Sequence, residues 1–479
     1  MTQVRIEDVW PLSPLQEGLL FHAGYDEDAH DVYVLQGAME LRGALDVGLL
    51  RASWQALLDR HATLRASFQR RGTGDPVQLI ASGVKLPWRE VDLTGLEGVV
   101  ERQAEAERLA DAEKTRFDPA VPPLLRLLLV RLDESRHQLV LTMHHILLDG
   151  WSLPVLFGEL SQLYAAGGDV SVLPPVTPYR EYLAWLGRQD KEAAREAWRE
   201  ALAGTVDPTL VRPVDPGVAK PSVPGHATVR AGARLTEALG EVARRHGLTL
   251  NTVVQGVWGV LVGMLTGRSD VVFGAVVAGR PADLPGVEQM LGLFINTVPV
   301  RVRLDPDLTV VELLAELQVQ QAALMPHQHL GLTEIQRLAG TGATFDTLLV
   351  YQNYPRNPDG PLQLSGLKID GSASDDAAHY PLALAVAPLD DLELRFDYQP
   401  DLFDAAAVET LGKRLVRLLE QIAADPTLPV GRLALLDEAE RGLVVERWND
   451  TARPVPAGTL PELFGAQAAR TPDAVAVVS

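Results

Sequence analysis

Eleven histidines and no cysteine make up the most reactive part of this 479-residue chain. Without thiols, a cysteine nucleophile, a disulfide framework, a zinc ribbon and a cysteine-held iron–sulfur cluster are excluded. One histidine pair stands apart, His144-His145, followed by Ile-Leu-Leu and then Asp149-Gly150-Trp151-Ser152. Adjacent residues on a strand point to opposite faces, so these two imidazoles do not readily share an ion, and no further His stands at ligand spacing. A serine hydrolase would want a Gly-x-Ser-x-Gly elbow, which is absent. No phosphate loop ending in Gly-Lys occurs, and Gly72-Thr-Gly74 and Gly340-Thr-Gly342 lack the rest of a dinucleotide fingerprint. A lone imidazole at a strand end remains, with an acid four residues on. Such a histidine suits general-base work on a bound hydroxyl, thiol or amine, which then attacks an acyl donor directly. The competing reading of the same spacing is a buried, satisfied histidine pair.

The elements around the pair are legible from periodicity. Leu124 to Leu132 and Gln138 to Met143 read as neighbouring strands, and Ser152 is placed to cap a helix running to Leu163. Asp46 opens another helix, in which Leu50, Trp54, Leu57 and Leu58 recur at helical spacing. Farther on, helices are predicted at Leu235 to His246 and Leu250 to Leu265. Strands follow at Val271 to Ala278, Asn296 to Leu304 and Thr347 to Gln352, with a hairpin from Leu382 to Tyr398. Asp404 caps a last long helix to about Ala424. Residues 171–178 and the Pro-rich stretch 208–224 read as extended connections. A strand beginning at Val475 with no domain after it suggests a chain cut inside a following domain.

Composition narrows the class. Hydrophobic residues are 47 % and charged residues 22 %, enough apolar content for a large core. The net charge of −20 argues against a broad nucleic-acid surface, which needs excess basic residues to replace phosphate counterions. The first residues lack a signal peptide's basic and apolar regions, and the apolar run near Val253 to Leu265 falls short of the about 20 residues of a membrane span. A cytoplasmic protein with no membrane partner is the expectation.

His144-His145-Ile-Leu-Leu-Asp149-Gly150 resembles the His-His-x-x-x-Asp-Gly signature of the chloramphenicol-acetyltransferase-like acyltransferases. Five further blocks resemble, in order, one branch of them, the condensation domains of nonribosomal peptide synthetases. These are Pro11-Leu-Ser-Pro-Leu-Gln16 through His22, Arg60-His-Ala-Thr-Leu-Arg through Phe68, Tyr179-Arg-Glu-Tyr through Trp185, Gly292-Leu-Phe-Ile-Asn296-Thr297, and His327-Gln-His-Leu-Gly-Leu-Thr-Glu. The resemblance covers about residues 7 to 430. It implies an α/β (α+β) fold of two acyltransferase-like lobes in a V-shaped pseudo-dimer, 1–176 and 177–430, around a central tunnel. Residues 431–479 would be a linker and the start of an adenylation domain, since Leu460 to Ala476 resembles such a start.

The implied activity is acyl transfer forming a peptide bond. An upstream carrier protein presents an acyl or peptidyl thioester, a downstream carrier an aminoacyl thioester, each on a 4'-phosphopantetheine arm, with no permanently bound cofactor and no metal. The isolated domain is expected to be monomeric. His145 maps onto the catalytic histidine, and His144 supports the strand. Asp149 forms a buried ion pair with Arg280, and Gly150 leaves room for the acceptor arm. Trp151, Ser152, Asn296 and Asn353 are candidate arm- or substrate-binding residues, the two asparagines also candidate oxyanion donors beside backbone amides near Gly150. Gln16-Glu-Gly and the Trp-Ser-Leu-Pro after Gly150 point to the subtype taking a donor with a D-configured terminus. Two rival readings stay open: a free-standing coenzyme A-dependent acyltransferase, and a catalytically inactive platform that recruits a partner.

Overall fold

The computed structural model describes residues 5–25, 31, 33–72, 74–212, 224–353, 364–374, 380–455 and 457–478. Most of the Pro-rich connection expected at 208–224 lies outside the described residues. By its internal contacts the chain divides into two units, Met1–Leu433 and Ala434–Ser479.

Three sheets organise the first unit. A five-stranded sheet has the order Leu367–Ser374, Val34–Gly43, Arg136–His144, Leu125–Arg131, Trp88–Asp92. Its core strands are runs of Leu and Val buried on both faces, because helices and loops cover them. A six-stranded sheet follows the order Asn296–Arg303, Asp270–Val277, Thr347–Tyr351, Leu382–Pro388, Leu392–Tyr398, Gly225–Arg230. The third is small, with Arg5–Trp10 and Ala66–Arg70 flanking Pro76–Ser82. Leu367–Ser374 pairs with Val34–Gly43, so the second half of the chain supplies an edge strand to the first half's sheet. Helices and sheets mix in the α/β (α+β) manner expected.

Two predicted helix starts are built as the sequence indicates. Asp46 accepts a hydrogen bond from the Leu49 N–H at 2.9 Å, and the helix Val47–Arg60 buries Leu50, Trp54, Leu57 and Leu58. Asp404 accepts from the Ala407 N–H at 2.8 Å and opens Ala405–Ala424. The apolar helix Leu250–Thr266 is buried on all sides from Thr252 to Gly263, as a helix apolar all round must be. No single helix among the described residues is long and apolar enough to cross a membrane. In the second unit, Thr459 and Glu462 form a reciprocal capping box on the helix Leu460–Arg470. The strand expected from Val475 is absent: residues 475–478 have no ladder partner and form no regular structure.

Candidate active site

The strand Arg136–His144 is paired on both sides, which places its last residue inside the five-stranded sheet opposite Val34. The two histidines then part, as alternation requires. His144 is buried, its Nδ1 accepting the Ile146 N–H at 3.0 Å. The ring hydrogen therefore sits on Nε2, which faces Asp31 Oδ2 at 3.4 Å. Asp31 in turn accepts the Tyr33 N–H at 3.1 Å, and the Tyr33 carbonyl accepts the His145 N–H at 2.8 Å. Burial works against the charge on Asp31, yet His144, the Tyr33 N–H and Arg116 together hold its carboxyl below the ordinary range.

His145 turns the other way, half-buried, onto the wall of a cavity of about 850 Å³. Its Nδ1 stands 2.9 Å from the Leu148 carbonyl, which can only accept. The neutral ring thus carries its hydrogen on Nδ1 and its lone pair on Nε2. That fixes the tautomer a general base requires.

Asp149 lies on a different layer. Its side chain has no exposure, and Arg280 beside it is 4 % exposed. Oδ1 accepts from the Ser152 N–H at 3.0 Å, the Ser152 hydroxyl at 2.8 Å and Arg280 Nη2 at 3.2 Å; Oδ2 accepts from the Phe294 N–H at 3.0 Å. Arg280 also donates to the carbonyls of Val287 and Met290 and lies over the Phe294 ring, 3.9 Å from its centroid. Burial lowers the Arg280 pKa despite the opposing pull of Asp149, Tyr179 and Tyr182.

The irregular segment 291–294 explains why the sequence blocks lie so far apart along the chain. Each of its carbonyls finds a donor outside the segment, two of them from one helix, Tyr179–Gly187. Thr63 Oγ1 donates to Leu291, the Asp149 N–H to Gly292, Tyr179 Oη to Leu293 and Tyr182 Oη to Phe294, at 3.2, 3.1, 2.6 and 3.3 Å. A buried backbone without a ladder must be satisfied in this way. Gly292 lets Tyr179 approach: a Cβ there would stand 2.2 Å from its ring. Gly279, at φ +61°, brings Arg280 inward past the Phe294 carbonyl, which a Cβ would meet at 1.8 Å. The opening block braces the loop from below, where Gln16 Nε2 donates to the Ile146 carbonyl at 3.1 Å. In the second block, Arg60 and His61 hold Glu159 of the helix that follows the loop.

One sequence expectation is corrected here, and the other predicted site residues take the following places. Ser152 does not cap its helix through its own side chain; Asp149 takes the Ser152 N–H, and the Ser152 hydroxyl is the buried junction between Asp149, Arg280 and Gly292. Ser152, Trp151 and Asn353 are not part of the cavity wall: Trp151 packs toward Arg280, 5.7 Å away, and Asn353 is exposed. Asn296 lines the cavity, and its amide donates to the carbonyls of Gln328 and Leu330, both at 2.8 Å and both inside the His327–Glu334 block. Gly150 is half-buried at the start of the turn into the helix. Asp31, Tyr33 and the two tyrosines at 179 and 182 escaped the sequence reading as functional partners. Only the aromatic pair had a signal, its spacing within the Tyr179–Trp185 block.

A family model described as "Condensation domain" matches residues 6–444. The chain is 37 % identical to a linear gramicidin synthase of Brevibacillus parabrevis over 99 % of its own length, but it spans only 10 % of that relative. Among solved structures it resembles holo-AB3403, a four-domain nonribosomal peptide synthetase, with TM-score 0.80 and 19 % identity, over 98 % of this chain and 37 % of that one. The first condensation domain of the calcium-dependent antibiotic synthetase matches with TM-score 0.73 and 22 % identity, over 90 % of this chain and all of that one. The signature histidines and the family match over nearly the whole chain agree: this chain belongs to the condensation domains, the amide-bond-forming acyltransferases of nonribosomal peptide synthetases.

Proposed function

We propose that His145 is the catalytic residue of a carrier-to-carrier condensation. The observation that carries this reading is the pinned imidazole on the cavity wall, with its lone pair on Nε2. The α-amine of an aminoacyl thioester on the downstream carrier attacks the carbonyl carbon of the upstream acyl or peptidyl thioester. The N–C bond forms, the C–S bond breaks, the amine's proton passes to Nε2, and the departing thiolate recovers it. No acyl-enzyme is needed. Both substrates arrive on 4'-phosphopantetheine arms.

Asp149 and Arg280 act indirectly on this reading. They clamp the loop after His145 to the segment 291–294, and Gly150 leaves the arm's path clear of a side chain. The two large sheets are the cores of the two lobes, 1–176 and 177–430, with the strand Leu367–Ser374 crossing from the second span into the first lobe's sheet. The second unit belongs to the linker and the adjoining adenylation domain, and carrier-borne substrates fit a reaction in the cytoplasm.

The test supplies two carriers with loaded arms and detects the condensed product by mass spectrometry. His145→Ala should cut turnover by about 10²–10⁴-fold, the contribution of a positioned general base. Near-full activity in that variant would overturn the assignment. Transfer from acyl-coenzyme A in place of the upstream carrier would favour the free-standing acyltransferase. Absence of transfer with every donor would favour a recruiting platform.

A further inference from the structure

One wall of the cavity is a regular sheet face, and its register defines a row of five side chains. Thr297 pairs with Val276, Val276 with Val350, Val350 with Ala385, and Ala385 with Arg395, crossing five adjacent strands. All five line the cavity that His145 lines. Leu348, Ala383 and Asp397, two residues along their strands, share that face and that wall, as period-two alternation demands.

Within the row, Ala385 is the smallest side chain. It stands between the branched Val350 and the long Arg395, on strands about 4.8 Å apart. Arg395 Nη2 and Nε lie 3.0 and 3.3 Å from Asp397 Oδ2, which directs the guanidinium along its own strand. The row therefore dips at Ala385, a notch with an apolar floor bordered by Val350 on one side and by the Arg395–Asp397 ion pair on the other. The carrier arms have constant chemistry, so what varies between substrates at this cavity is the amino-acid side chain.

We infer that Ala385 is a specificity-determining position, its notch seating an apolar side chain of one of the two residues being joined. The inference rests on the condensation reading above. An apolar floor disfavours a charged occupant, which would lose hydration there without a counter-charge of its own. Filling the notch should therefore discriminate by size, where one methylene is worth about 10- to 200-fold in kcat/KM.

The experiment uses the 479-residue chain with aminoacyl thioesters of N-acetylcysteamine carrying glycine, leucine or phenylalanine, varied first as acceptor and then as donor. Ala385→Leu should lower the leucyl-over-glycyl ratio of kcat/KM about 10- to 200-fold in one of the two arms. Val350→Ala, which widens the notch, should raise the phenylalanyl-over-leucyl ratio in that same arm, a gain that a damaged fold cannot produce. Unchanged ratios in both arms, with the unsubstituted chain active, would overturn the notch and leave the condensation reading intact. No product from the unsubstituted chain with any pair would overturn both.

Discussion

Removing the Asp149 carboxylate tests how the buried pair supports the site. Asp149→Ala strands the Arg280 guanidinium at 4 % exposure and leaves the Phe294 N–H without its acceptor. Breaking one side of a buried pair costs about 3–5 kcal/mol, mostly from the uncompensated charge. At about 1.4 kcal/mol per decade, the folded-to-unfolded ratio falls roughly 10²- to 10⁴-fold. Total stabilities of about 5–15 kcal/mol leave little margin after such a loss. The double variant Asp149→Leu with Arg280→Met removes the charge problem altogether. It still loses the Arg280 hydrogen bonds to Val287 and Met290 and the Asp149 acceptor for the Ser152 and Phe294 N–H groups; at about 1 kcal/mol each its deficit should be near 4 kcal/mol. The double variant is thus expected to lose less than the sum of the losses of Asp149→Leu and Arg280→Met made singly. Urea unfolding followed by circular dichroism measures both, with the denaturant slope checked for constancy. A double variant that loses the sum of its two single losses would refute the argument, as would a single loss below about 1 kcal/mol.

Other outcomes follow from the same geometry. Asn296→Ser should cost about 2 kcal/mol through its two lost carbonyl contacts, with kcat per folded molecule changed only several-fold; a kcat loss of about 10²-fold or more in folded protein would instead make Asn296 an oxyanion donor. Gly292→Ala should destabilise by about 1–3 kcal/mol because its Cβ meets the Tyr179 ring, readable as a fall in the thermal midpoint; an unchanged midpoint contradicts the packing. Asp31 has a depressed carboxyl pKa in the folded state, so its contribution is present above the unfolded value of about 3.9 and is lost as pH falls through the folded value. Asp31→Ala should therefore be less stable than the parent at neutral pH, with the gap narrowing below about pH 4 in urea titrations; a constant gap excludes this linkage.

Much of the architecture was readable locally. Asp46 and Asp404 cap their helices because a short carboxylate before an apolar-periodic run satisfies nearby N–H groups whatever lies elsewhere. The strands ending at His144 and starting at Asn296 were visible as apolar runs. Ser152 shows where this stops. Its type and position suit a cap, but its hydroxyl found better partners in Asp149 and in Gly292, 140 residues away.

The sequence by itself determined the chemical inventory, the helical and strand periods, and the divergence of His144 from His145. Six ordered blocks also determined the family. Tertiary structure alone decided which block meets which. Thr63 reaches Leu291 across 228 residues, and Asp149 reaches Phe294 across 145. The row from Thr297 to Arg395 exists only because five strands take neighbouring places in one register. Periodicity reports each residue's orientation on its own element. Partner choice depends on which elements become neighbours, and that is settled by burial and backbone satisfaction over the whole unit.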